Sequence, residues 1–284
     1  MRGNQVRQSP RFALSCAIVC FSLHLIAAED KPAGPPPGEH KLRITPQNEK
    51  EWNCGLADVK AVCYSAAEQM WQYFPERKLP PIEVTAKGGP ITLFRRGPNG
   101  EIRVKLASGN CLWAQISFQF AHEFTHILCN YAEKFGEVKW LEESICETGS
   151  LFALRRMAEK WAVTPPYPNW KSYAGALSSY ADERIKKGAL PEGKTLAQWY
   201  TENAEVLRAN ATDRDRNQVV ACVLLTLLEA HPEDWAAVEM LNSAKLGEKY
   251  TLADFLREWR RNCPEKNKRF VTGIAKELGV ALGE

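Results

Sequence analysis

Apolar residues recur at helical spacing through most of the second half of the chain. The same spacing in residues 58–74 predicts an earlier helix, and Pro75 ends it. Residues 141–161 predict one long helix, which a proline-rich stretch follows. Beyond it, the repeat predicts six further helices, at residues 173–187, 196–209, 216–230, 232–241, 252–262 and 266–278.

Between these helical regions the repeat changes to that of short strands. Residues 82–86 predict one strand. Residues 91–96 and 101–106 flank Gly97-Pro98-Asn99-Gly100, a sequence typical of hairpin turns. Apolar and charged residues alternate in 101–106, so one face of that strand is expected to be buried. The pattern predicts an α+β fold, in which a small antiparallel or mixed sheet precedes a mostly helical region.

A strongly apolar helix is predicted between the last strand and the long helix. Its stripe consists of Leu112, Ile116, Phe120, Phe124, Ile127 and Tyr131. This stretch contains His122-Glu123-Phe124-Thr125-His126, an H-E-x-x-H motif. Residues four positions apart share one helix face, so His122 and His126 can bind one zinc ion. Glu123 is rotated away from the metal and can take a proton from its water. The simplest alternative is a core helix with two surface histidines.

A zinc site of this kind needs a third protein ligand, and Trp140-Leu141-Glu142-Glu143-Ser144 offers two carboxylates. With its H-E-x-x-H, the chain resembles the gluzincin group of zinc metallopeptidases over residues 82–161. Gluzincins carry their third ligand within W-L-x-E-G, and here serine replaces that glycine.

The resemblance implies that His122, His126 and Glu143 bind zinc and that Glu123 is the general base. Glu142 stays open as the rival ligand. Glu147, one turn beyond Glu143, is expected to orient a ligand imidazole.

The same resemblance implies a zincin-like fold, with the sheet packed on the motif helix. It also implies an edge strand beside the metal that pairs with an extended peptide, and residues 101–106 are the candidate. An ordinary covered hairpin is the alternative.

Gluzincins further use a downstream Tyr or His to hold the oxyanion. The corresponding stretch, residues 217–220, contains neither. The candidates that remain open are Tyr180, Tyr173, His231 and Tyr200.

The first residues have the pattern of an export signal. Three arginines precede an apolar stretch that ends in small residues, which predicts a signal peptide over residues 1–28. An uncleaved N-terminal anchor is the alternative. Residues 29–45 are rich in proline and predict a linker, and residues 46–284 a single domain with parts 46–161 and 162–284. The protein is therefore expected to be secreted or periplasmic, with no stable membrane insertion after cleavage.

Charge argues against a general nucleic-acid or anionic-membrane binder. The whole chain has 37 basic and 34 acidic residues, and three of the basic ones lie in residues 1–28, so 34 of each remain. A neutral surface of this kind has no long-range attraction for polyanions. We therefore expect a peptide or protein substrate and no nucleic-acid partner.

Seven cysteines follow residue 28, which in an oxidising compartment predicts some disulfides. The pairs suggested are Cys54–Cys63 and Cys222–Cys263. A thiolate zinc site lacks any C-x-x-C spacing. Together these features predict a secreted zinc metallopeptidase that hydrolyses peptide bonds through a zinc-bound water. The alternatives are a catalytically impaired relative that keeps zinc for structure or binding, and a helical interaction module with an accidental motif.

Overall fold

The computed structural model describes residues 42–131, 136–247 and 249–283, which form an α+β fold. It is 62% helical and contains one small mixed sheet of four strands. The α+β class predicted from the sequence is therefore confirmed. The predicted signal peptide, residues 1–28, lies outside the described residues. Within them, no helix combines the length and the apolar character needed to cross a membrane.

Four short strands form the sheet: β1 (Ile44–Pro46), β2 (Ile82–Thr85), β3 (Ile91–Thr92) and β4 (Ile102–Lys105). Their order is β1-β2-β4-β3. β1 runs parallel to β2, and β2 runs parallel to β4. β3 and β4 are antiparallel and form the hairpin that the turn sequence predicted.

The prediction that residues 101–106 form an exposed sheet edge is wrong. β4 is hydrogen-bonded on both sides, to β2 and to β3, so the edge strand on this side of the sheet is β3. The side chain of Ile91 in β3 is 42% exposed, whereas Ile102 and Val104 in β4 are buried. A turn sequence indicates that the two strands on either side of it pair with each other. It carries no information about the neighbour on the other side.

Nine α-helices account for most of the described residues. They are α1 (Glu49–Trp52), α2 (Leu56–Trp71), α3 (Trp113–Leu128), α4 (Lys139–Val163), α5 (Ala174–Lys187), α6 (Leu196–Ala209), α7 (Arg214–Ala230), α8 (Leu252–Asn262) and α9 (Lys268–Glu277). Three 3₁₀ helices connect them, at Pro168–Tyr173, Pro232–Ser243 and Glu265–Asn267. The predicted bounds of α6 and α8 are reproduced. The helix predicted at 232–241 is the second 3₁₀ helix, which has Pro232 in its first turn.

α3 lies in the core between α2, α4 and the sheet, and its apolar stripe is buried as predicted except at its two ends, Leu112 and the partly buried Tyr131. Ile116, Phe120 and Phe124 are fully buried, whereas Leu112 is 48% exposed because it precedes the helix. α4 approaches α3 closely at Gly149. A Cβ atom there would overlap the hydroxyl of Thr125, one residue before His126. Glycine at this position thus allows the two helices to meet beside the motif.

The folded domain begins earlier than predicted. Leu42 and Ile44 are 3% and 1% exposed and belong to the core, although both fall within the predicted linker 29–45. Ile44 pairs with Ile82 in the sheet. A three-residue strand is too short to give a repeat in the sequence, so the proline-rich composition nearby dominated the prediction.

All seven cysteines of the described residues are free thiols, so neither suggested disulfide is formed. The thiol of Cys54 contacts that of Cys111, and the thiol of Cys129 contacts that of Cys146. The first pair lies between two loops that run side by side. There Asn53 Nδ2 donates to Asn110 Oδ1 at 3.0 Å.

Candidate metal centre and active site

Two imidazole nitrogens and one carboxylate oxygen converge between α3 and α4. His122 and His126 lie one turn apart on α3, with ring centroids 5.2 Å apart. The Nε2 atoms of His122 and His126 lie 3.4 Å and 3.6 Å from Oε2 of Glu143 on α4. Ligand atoms on a tetrahedral zinc ion, at bonds of about 2 Å, stand roughly 3.3 Å apart. Both distances therefore fit a zinc ion held by these three side chains.

The other nitrogen of each imidazole contacts a carboxylate of its own. Nδ1 of His122 lies 3.2 Å from Oε2 of Glu147, and Nδ1 of His126 lies 2.6 Å from Oε1 of Glu142. A metal-binding histidine commonly donates its second N–H to a carboxylate, which fixes the ring and directs the free nitrogen at the metal. Glu147 has the position expected for that role. Glu142, the rival third ligand, has the same position beside the other imidazole.

Two further side chains hold Glu142 in place. Lys139 Nζ lies 3.0 Å from Glu142 Oε1, and Asn242 Nδ2 donates to Glu142 Oε2 at 3.0 Å. Asn242 also donates to the backbone carbonyl of Cys129 at the end of α3. It comes from the 3₁₀ helix Pro232–Ser243, far along the chain from Glu142. Asn242 is a single polar residue in that helix and belongs to no motif, so nothing in the sequence marks it as part of the site.

The carboxylates control the protonation of both imidazoles in the metal-free site. Burial alone lowers the pKa of His122, but hydrogen bonds to Glu143 and Glu147 outweigh it and raise the pKa to about 9. For His126, hydrogen bonds to Glu142 and Glu143 outweigh burial and raise the pKa to about 10. Burial raises the pKa of Glu142, yet its bond to His126 brings that pKa down to about 2. A metal ion entering this site must therefore displace protons from both imidazoles.

Cys146 is a geometric rival to Glu143 as a third ligand. One atom each of His122, His126 and Cys146 lie within 4.8 Å of one another. Zinc binds cysteine as a thiolate. Burial raises the pKa of the Cys146 thiol well above its ordinary value, and the contact with Cys129 raises it further. Glu143 is already ionised, since its bonds to the imidazoles hold its pKa far below the usual range, so it is the better ligand.

Glu123 lies beside the edge strand of the sheet. Its side chain is 3% exposed, and the Thr92 hydroxyl of β3 lies 3.0 Å from its Oε2 atom. The same hydroxyl lies 3.0 Å from the backbone oxygen of Glu123. Thr92 thus fixes both the helix backbone and the carboxylate that the sequence assigns as general base. This contact was not foreseen, because it joins a strand to a helix 31 positions later.

A cavity of about 270 Å³ opens onto this cluster. The two imidazoles, Glu123, Glu143 and Glu147 are part of its lining. The rest of its lining is Pro90, Ile91, Thr92, Phe94, Tyr131, Lys139, Thr212, Arg214 and Asn217. A concave, partly apolar pocket with a few convergent polar groups is the usual form of a binding or active site. All the predicted metal ligands and the predicted base therefore face one shared space.

The oxyanion donors suggested from the sequence do not line this cavity, so that prediction is corrected. The Tyr173 hydroxyl accepts from the Ala114 N–H, and the Tyr180 hydroxyl accepts from Arg184. Tyr200 packs on Trp140, with ring centroids 5.3 Å apart. His231 is half exposed and stands 3.8 Å from a carboxylate oxygen of Glu233. In the sequence these residues are aromatic or basic, but nothing there records which way they face.

No family model matches the chain, and neither the curated proteins nor the solved structures contain a significant match to it.

Proposed function

We propose that this protein is an exported, zinc-dependent peptidase of the zincin type. The observation that carries the proposal is the convergence of His122, His126 and Glu143 beside Glu123 in one cavity. Each imidazole is also backed by a separate carboxylate, a feature of metal sites that an accidental H-E-x-x-H on a core helix has no reason to share. This argues against the interaction-module alternative.

The reaction proposed is hydrolysis of a peptide bond. Zinc, when bound, would polarise the scissile carbonyl and lower the pKa of a coordinated water to about 7. Glu123 then takes the proton from the attacking water and delivers it to the leaving nitrogen. Thr92 holds the Glu123 carboxylate in one orientation, and Glu142 and Glu147 hold the imidazoles. These contacts fix the geometry before substrate arrives, which is what lowers the barrier in such sites.

The edge strand β3 supports binding of an extended peptide. The N–H of Leu93 donates to the carbonyl of Arg103 in β4 at 2.9 Å. Backbone groups alternate in direction along an antiparallel strand, so the N–H and C=O of Thr92 point away from β4. Thr92 also lines the cavity. A peptide that pairs with Thr92 would run past Glu123 as an added strand, which is one of the common modes of peptide recognition.

A matched pair of proteins tests the proposal. Wild-type protein loaded with zinc is expected to cleave a mixed peptide library, and a chelator is expected to stop cleavage. Glu123→Gln should retain one zinc per chain and lose hydrolysis, because the amide is no longer a base. Full activity of Glu123→Gln would refute the mechanism. Absence of bound zinc in the wild type would refute the metal site itself.

The alternative function is a zinc protein without catalysis. It is favoured by one observation, that Tyr173, Tyr180 and His231 all lie away from the cavity. Zinc bound at one equivalent, with no cleavage of any library peptide, is the result that this alternative predicts.

A further inference from the structure

Tyr131, the tyrosine in the described lining of the cavity, has its hydroxyl bound to a backbone carbonyl, but the lining also contains a cation that has no partner among the described residues. Arg214 is the first residue of α7, and its side chain is exposed. It makes no hydrogen bond or ion pair with any residue in the described ranges 42–131, 136–247 and 249–283. A guanidinium stays charged at all relevant pH values and offers five N–H donors.

Each of the other donor side chains in the described part of the lining has at least one partner. Thr92 is bound to Glu123, and Tyr131 donates to the carbonyl of Leu93 at 3.1 Å. Lys139 lies 3.0 Å from Glu142 and 3.5 Å from Glu143.

The two remaining donor side chains, Thr212 and Asn217, lie on the α7 side of the cavity. Thr212 donates to Asn210, and Asn217 donates to the carbonyl of Ala211 at 2.8 Å. Among the described residues, Arg214 is thus the donor side chain of the lining that has no partner of its own.

The first turn of α7 is fixed to α4 next to the metal ligands. Asn217 is 3% exposed, and its Oδ1 atom accepts from the Ser144 hydroxyl at 3.3 Å. Ser144 is adjacent to Glu143 in the chain. Residues three positions apart lie on the same helix face, so Arg214 shares the face of Asn217, and both line the cavity. Arg214 therefore belongs to a fixed helical turn that is attached next to Glu143.

The charge of the cavity also favours an anion at this cation. Its lining contains three carboxylates, of Glu123, Glu143 and Glu147, and two cations, of Lys139 and Arg214. With both imidazoles neutral, as metal binding requires, these side chains sum to one negative charge, and a divalent metal changes the sum to one positive charge. The carboxylates contact the imidazoles, Thr92 or Lys139, so Arg214 is left as the uncompensated cation.

We infer that Arg214 is a catalytic residue that holds the oxyanion formed from the substrate carbonyl. The inference rests on the proposed function. When water adds to the carbonyl carbon, the new C–O bond pushes an electron pair onto the carbonyl oxygen. Guanidinium N–H groups of Arg214 donate to that oxygen while Glu123 holds the proton from the water. The pair returns when the C–N bond breaks, and the leaving nitrogen takes the proton. Charge thus develops where a donor is already present.

Kinetics of Arg214→Ala and Arg214→Lys test the assignment. Loss of one oxyanion donor lowers kcat by roughly 100-fold to 1,000-fold. We expect Arg214→Ala to show such a loss with KM little changed, and Arg214→Lys to recover part of it. Zinc content should equal that of the wild type. Arg257→Ala, an exposed arginine of α8 outside the cavity, is the matched control and should keep wild-type kinetics.

A binding experiment separates this inference from the proposed function. A phosphinic peptide places a tetrahedral anion at the reacting position, and its affinity is measured on zinc-loaded wild type and Arg214→Ala. The matching natural peptide is measured on Glu123→Gln with and without Arg214→Ala. We expect Arg214→Ala to weaken phosphinate binding by about the factor lost in kcat, and to leave peptide binding unchanged.

Each outcome has a definite meaning. Equal phosphinate affinity in the wild type and Arg214→Ala would overturn the inference, even if the wild type is a peptidase. Equal weakening of phosphinate and natural peptide would also overturn it, because Arg214 would then be a ground-state anchor. Weaker phosphinate binding in a protein that cleaves no peptide would support Arg214 as the anion donor and reject the proposed function.

Discussion

The helix pairs α3–α4 and α8–α9 both make buried contacts, but the first contains a cluster of charged side chains and the second an aromatic pair. Between α3 and α4, two imidazoles meet three glutamates at distances of 2.6–3.6 Å. Between α8 and α9, the rings of Trp259 and Phe270 meet edge to face at 6.1 Å, with apolar neighbours around them. Buried charge contributes little net stability, whereas buried apolar surface contributes most of it. The first contact is therefore expected to serve chemistry and the second to serve the fold.

The largest effect on stability is expected at the apolar contact. Trp259 is fully buried, and its Nε1 donates to the carbonyl of Ala237 at 2.8 Å. Trp259→Ala should lower the free energy of unfolding by about 3–5 kcal/mol, measured by urea denaturation. The molecules that remain folded should bind zinc with wild-type affinity. A large loss of zinc affinity in the folded fraction would show that the two contacts are not separable.

At the polar contact, the main effect is expected on zinc affinity rather than on stability. Glu143→Ala removes the proposed third ligand, so zinc affinity should fall by more than the roughly 10-fold to 100-fold that a carboxylate bound to a ligand histidine contributes. Competition with a chromophoric chelator measures it. Glu159→Ala, on the exposed face of the same helix, is the control. If Glu143→Ala binds zinc as the wild type does, a different third ligand must be sought, and Cys146→Ala is the next variant.

pH should separate the two contacts without any mutation. Both imidazoles have a raised pKa in the metal-free fold, about 9 for His122 and about 10 for His126. Their contribution to stability is therefore complete below the unfolded value of about 6.5 and is lost as pH rises through 9 to 10. The melting temperature of chelator-treated protein should fall across that range. The melting temperature of zinc-loaded protein should fall less, because the metal holds the imidazoles neutral. Equal declines would contradict this assignment.

Glu142 and Glu147 provide a finer test of the polar contact. Glu142→Gln and Glu147→Gln should each weaken zinc binding by roughly 10-fold to 100-fold, with little effect on folding. We expect the larger loss for Glu142→Gln, because its contact with His126 is 2.6 Å, against 3.2 Å for Glu147 with His122. Loss of zinc binding in Glu142→Gln to the extent seen in Glu143→Ala would indicate that Glu142 is itself a ligand.

The smallest effect is expected at Asn242. Asn242→Ala removes one donor from Glu142 and one from the carbonyl of Cys129, which should cost about 1–2 kcal/mol of stability and a few-fold in zinc affinity. Chemical denaturation and chelator competition measure both quantities. Asn262→Ala, whose bond to Ser243 is exposed, should change neither. Unchanged stability and zinc affinity in Asn242→Ala would mean that His126 and Lys139 hold Glu142 without it.

The sequence predicts the parts of the site that are set by local geometry. The spacing of His122 and His126 places both on one helix face, so their approach to each other followed from the sequence. The choice of Glu143 over Glu142 as third ligand came from the resemblance to gluzincins and stays a prediction.

The parts played by Asn242 and Thr92 could not be predicted, because both act through hydrogen bonds to residues far away along the chain. The strand pairings of the sheet show the same difference between local and long-range contacts. The β3–β4 hairpin followed from its turn, whereas the parallel pairing of β4 with β2 had no local signal.

The loops before α2 and α3 carry a consequence for how the protein is handled. Asn53, Asn110 and Cys111 all have positive φ, and the N–H of Asn110 donates to the carbonyl of Trp52 at 2.8 Å. This unusual backbone brings the Cys111 and Cys54 thiols into contact. Exchange with a small-molecule disulfide such as oxidised glutathione would cross-link them, with two thiols of that reagent as product. Closing a loop of this length stabilises a fold by roughly 4 kcal/mol. Protein purified in a reducing buffer would lack that reinforcement.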